Sequence, residues 1–169
     1  MTPPSAKLQE LSRRFRDAKE KDIKAGPGSL DNFEYVVRGI FSECFEWVKQ
    51  KQPGKLPPLQ VKFLNQRQFD DLCLTLGTSS EHSLALIEHV RGMIAINMEA
   101  LMAKGFDTFL VNLVISFFEE LFHAANPNLD EVSVKKLAYE ATENYLGIPI
   151  PQEYKEASYE RAADPSYGN

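Results

Sequence analysis

Two adjacent carboxylates and an imidazole stand in the most apolar stretch of the chain, as Glu119, Glu120 and His123 of "SFFEELFHAANP". Charged side chains are costly to bury unless they are paired or bind a metal. Glu119 and His123 are four residues apart, so on a helix their side chains meet on one face. Glu120 stands three residues before His123. The polar residues between Phe109 and Ala125 are Asn112, Ser116, Glu119, Glu120 and His123. At ~100° per residue they fall within an arc of roughly 100°. The plain reading of that arc is the solvent face of an amphipathic helix. However, it is narrow and holds no Lys or Arg, whereas a solvent face normally mixes charges. Carboxylates with an imidazole make a donor set for a divalent metal.

The elements around this stretch follow from periodicity and punctuation. Residues 7–24 read as a charged helix with Leu8, Leu11 and Phe15 at helical spacing, broken by "AGPGS". A second helix starts near Asp31, with Asp31 or Ser29 as cap. Phe33, Val36, Val37, Ile40, Phe41, Cys44, Trp47 and Val48 form its core-facing stripe. "LQVKFLN" alternates and reads as a strand. "QRQFDDLCLTLG" reads as a short helix or irregular chain. "SLALIEHVRGMIAINMEAL" reads as two strands around Arg91-Gly92, with a helix through 82–90 as competitor. The buried helix is then capped at Asp107 or Thr108 and stopped by Asn126-Pro127. A last helix runs from a cap near Asp130 to Gly147. The expected fold class is α+β, a small, mostly antiparallel sheet packed against helices around a central buried helix. Residues 1–28 form a charged helix and linker, 29–147 the core domain and 148–169 a Pro-rich tail that wraps the domain or stays mobile.

The helix "FFEELFHAANP" resembles the active helix of the zincin metallopeptidases, whose signature is HExxH. Glu120 sits where the general base sits and His123 where the second metal ligand sits. Glu119 replaces the first histidine, giving EExxH. "GMIAINMEAL" is similar to the strand that lines the zincin cleft, and "LPPLQVKFLN" to the first strand of the sheet. In the gluzincin branch a later helix supplies a glutamate as third ligand. "LAYEATENYLG" offers Glu140 and Glu143, 17 and 20 residues beyond His123. Glu140 lies about 120° from the centre of that helix's apolar face and Glu143 about 180°, which favours Glu140 with Glu143 as substitute. The resemblance implies a zincin-like fold, zinc or another divalent metal on Glu119, His123 and Glu140, and a peptide or protein substrate. Glu120 would take a proton from the metal-bound water. The contrasting expectation is a zincin-like binding or regulatory module without metal, in which a carboxylate–histidine hydrogen bond explains the pair.

Composition narrows the other classes. The chain has 169 residues, 43% hydrophobic and 25% charged, with a formal net charge of −5. That suits one globular domain and argues against nucleic acid as partner. The longest apolar run is too short for a membrane span of ~20 residues. With a charged, signal-free start, it leads to the expectation of a cytoplasmic protein. Cys44 and Cys73 are not a CxxC pair and read as reduced core thiols. Neither His82 nor His89 has a glutamate three residues before it, so the paired ExxH of a di-iron bundle is missing.

Overall fold

The computed structural model describes residues 5–78, 85–88, 92–103 and 106–164, with backbone alone at 101–102 and 106–108. His82, His89 and Arg91 lie outside the described residues. In chain order the elements are α1 (Ala6–Ala25), α2 (Asp31–Lys51), β1 (Gln60–Leu64), α3 (Gln66–Leu76), β2 (Ala85–Glu88), β3 (Met93–Asn97), α4 (Met98–Met102), α5 (Phe106–Ala125), α6 (Glu131–Leu146) and α7 (Gln152–Ala163).

The architecture is α+β, as expected, but the sheet is mixed rather than mostly antiparallel. Its strand order is β1-β3-β2, with β1 parallel and β2 antiparallel to β3. The hairpin between β2 and β3 is local and was legible. The parallel pair arises because α3 and β2 intervene between β1 and β3, which lets the chain return in the same direction. Gly92 makes that return possible. Its φ is 61°, and a Cβ there would lie 2.9 Å from the carbonyl oxygen of Pro58.

Helix α5 is the centre of the core. Leu110, Leu113, Val114, Phe117, Phe118, Leu121 and Phe122 are all buried. Trp47 of α2 meets the Phe118 ring edge-on at 5.4 Å, and Phe41 meets Phe117 at 5.3 Å. Leu11 and Phe15 of α1 are buried in the same core. Cys44 and Cys73 are free, buried thiols.

Several ends differ from expectation. Neither Asp31 nor Ser29 caps α2 with its side chain; the cap comes from α1 instead. Buried Asp22 accepts the backbone N–H groups of Asn32 and Phe33, and the Asn32 side-chain amide, each at 2.9 Å. The first-turn N–H groups of a helix need such acceptors, and a neighbouring helix can supply them as well as a local residue. Helix α5 begins at Phe106, so Asp107 and Thr108 lie inside its first turn. The segment "MEAL" is not strand. Buried Asn97 ends β3 and accepts from the Ala100 N–H at 3.0 Å, which starts α4.

Gly147 ends α6 in the left-handed region, as expected, and Asp130 caps it by accepting from Ser133 N–H at 2.7 Å. The segment after it folds as α7 rather than as a proline-dominated tail. Pro149 and Pro151 precede that helix, and its body is rich in Glu and Ala, which favour it. Tyr139 of α6 donates to Ser158 of α7 at 2.6 Å, which ties the two helices together.

Candidate functional site

The α5 stripe faces α6 and β2. Glu119 pairs with Lys135 at 3.1 Å, and the two side chains keep only 21% and 9% of their surface exposed. His123 pairs through Nε2 with Glu131 at 3.2 Å. The two contacts form a ladder. On antiparallel neighbours, positions four apart on α5 meet positions four apart on α6 in reverse order. The signal was in the sequence, as Glu131 and Lys135 on the next helix, but reading α5 alone could not reveal it.

Glu120 turns toward the sheet. Gln60 N–H donates to Gly92 C=O at 2.9 Å, so in the parallel pair residues 60, 62 and 64 of β1 bond to β3 while 61 and 63 point outward. Ile94 of β3 then bonds toward β1, leaving Met93 and Ala95 to bond β2. Their partners are Glu88 and Leu86, so Ile87 must direct its N–H outward from the sheet. The acceptor it meets is the Glu120 carboxyl. On the opposite edge Arg38 of α2 donates to the carbonyl of Val61 at 2.9 Å. Thus both outer strands carry a charged or chargeable group from a helix, a recognised way of blunting sheet edges.

The electrostatics follow this geometry. Burial pushes Glu120 up to about 8, helped by the charges of Glu119 and Glu131 and opposed by His123 and the Ile87 N–H. It does so although Glu120 as a whole keeps part of its surface in contact with solvent. Burial alone would lower the His123 pKa. The hydrogen bond to Glu131 and the charges of Glu120, Glu131 and Glu119 outweigh it, and the value rises. Glu131 is lowered, first by its hydrogen bond with His123 and against the effect of its own burial.

The expected metal set is not assembled. Glu119 and His123 each engage α6, and Glu140 is exposed. The substitute Glu143 binds Lys155 at 2.6 Å and accepts the Ile150 N–H at 3.0 Å, which clasps α7. Among the described residues no group of three or more His, Cys, Asp or Glu could hold a metal ion. The residues therefore do not fit a zinc centre. No family model matches the chain, and neither do any curated protein or solved structure. These findings overturn the zincin resemblance, and with it the reading as a zinc metalloprotease or hydrolase. No helix among the described residues is long and apolar enough to cross a membrane.

A different feature has the shape of a binding site. The α1–α2 hairpin and the start of α5 enclose an open cleft of about 680 Å³. Phe15, Phe33 and Phe109 line it, with ring centroids 5.1 Å, 5.2 Å and 5.7 Å apart, and the almost wholly buried Phe15 and Phe109 close its base. Ile23, 69% exposed, and Leu30 extend the apolar wall. The charged residues lining it are Asp22 and Lys19. Hydrogen bonds to the start of α2 lower the Asp22 pKa, although burial acts to raise it. No sequence motif marked this cleft, because its three rings come from three helices and all three read as ordinary core positions.

Proposed function

We propose that this chain is a metal-free binding module that receives a small, largely apolar ligand in the cleft between α1, α2 and α5. The observation that carries the proposal is the aromatic-walled cleft of about 680 Å³. Ligand pockets fall at about 300–1,000 Å³, with mostly apolar walls and few polar groups. The α5 stripe supports the same reading from the other side. Its Glu119, Glu120 and His123 are engaged by Lys135, the Ile87 N–H and Glu131, so they serve the fold.

The test uses a neutral fluorescent probe, N-phenyl-1-naphthylamine, titrated into the folded protein and into Ile23→Asp. Ile23 is exposed, so its replacement costs within ~0.5 kcal/mol of stability yet places a charge against the apolar wall. The expected result is saturable binding at one probe per chain, weakened about tenfold or more by Ile23→Asp with the melting temperature unchanged. Non-saturable wild-type binding, or equal affinity for the variant, overturns the proposal.

A further inference from the structure

We infer that the cleft selects amphipathic monoanions, with an alkyl or aryl body against the phenylalanines and a carboxylate at Lys19. This rests on the reading of the cleft as a binding site and adds the chemistry of its occupant. Lys19 is exposed at the cleft and, among the described residues, has no ion-pair partner. The other charge, Asp22, is already engaged: Oδ1 accepts from the Asn32 N–H and side-chain amide, and Oδ2 from the Phe33 N–H. Its negative charge faces the positive end of the α2 dipole, which offsets it. Lys19 is therefore the uncompensated charge of the lining.

An apolar wall with one ammonium group at its edge complements a molecule apolar along its body and anionic at one end. A neutral molecule of the same length would bury the same surface and leave the ammonium unmatched. A dianion would place its second charge against phenylalanine rings, where desolvation is unfavourable. A cation would meet Lys19 as a like charge. The single-chain carboxylate is the class that meets both features without leaving either unpaired.

The experiment displaces the neutral probe with decanoate and with decanol, on wild type, Lys19→Gln and Lys19→Arg, at low and high salt. Wild type should take decanoate at about three- to fivefold lower concentration than decanol, the range of an exposed ion pair. The preference should vanish in Lys19→Gln, persist in Lys19→Arg and shrink at high salt. Equal displacement by the two compounds on wild type, or a preference that survives Lys19→Gln, overturns the inference while leaving the cleft as a site. Failure of both to displace a bound probe overturns it as well. Failure of the probe itself to bind sinks the reading on which it rests.

Discussion

The seam between α5 and α6 gathers Glu119, Glu120, His123, Glu131 and Lys135, whereas among the described residues the charged groups lining the α1–α2 cleft are Lys19 and Asp22. By residue type the seam is the richer place for chemistry. In the folded chain its groups answer one another, by ion pair, imidazole–carboxylate contact and edge-strand hydrogen bond. The cleft is poor in functional groups, yet it holds open apolar volume and a cation that has no ion-pair partner among the described residues. Charge in an apolar run marks a need for partners, and the partners can be internal.

The largest expected effect comes from breaking the seam. Lys135→Met leaves Glu119 partly buried without its counter-ion and should cost about 2 kcal/mol in urea unfolding, somewhat below the ~3–5 kcal/mol of a fully buried pair. Adding Glu119→Leu should recover most of that loss, and the double-mutant cycle then gives the coupling. If Lys135→Met is neutral, the ladder is not a structural clasp and the contrast with the cleft fails.

Acidity gives a second, smaller test. The Glu120 pKa rises from 4.5 to about 8 on folding, so its contribution is complete below 4.5 and is lost as pH climbs through about 8. His123, raised above its ordinary 6.5, acts in the same direction, with stability lost as pH rises through its folded value. Glu131 is lowered from 4.5, so its contribution is lost as pH falls through its depressed value. Together these place the stability maximum in mild acid. The melting temperature should drop by about 4 °C or more between pH 6 and pH 9. Glu120→Gln keeps a neutral acceptor for the Ile87 N–H and should flatten much of that slope. An unchanged slope would remove Glu120 from the cause.

Glu140 is exposed, so Glu140→Ala should change unfolding free energy within ~0.5 kcal/mol and leave probe affinity unaltered. A clear loss of either would restore a role for the position that the metal reading had favoured.

Much of the scaffold could be read from the chain. Phe33 through Val48 repeat at three and four, "LQVKFLN" alternates, Pro127 follows the end of α5 and Gly147 ends α6. Each of these signals is local. What could not be read depends on residues distant in sequence. Periodicity shows that Glu119 and His123 share a face, but not that Lys135 and Glu131 lie opposite. Composition shows a break at "AGPGS", but not that Asp22 reaches across it to cap α2. Phe15, Phe33 and Phe109 each look like core residues, and only their convergence leaves a cleft. The resemblance to a metallopeptidase failed at the same point, since a motif on one helix says nothing of where a third ligand falls.

The Ile87–Glu120 and Arg38–Val61 contacts have a consequence for how this protein would aggregate. A strand edge with free N–H and C=O groups can template further strands from other copies. Here both guards sit on helices rather than on the strands themselves, so they leave whenever α5 or α2 undocks from the sheet. Both helices carry the core, so the species at risk of self-association is a chain whose core has opened while its strands still pair. Conditions that loosen α5, including the alkaline ionisation of Glu120, would be expected to expose the sheet to polymerisation first along β2.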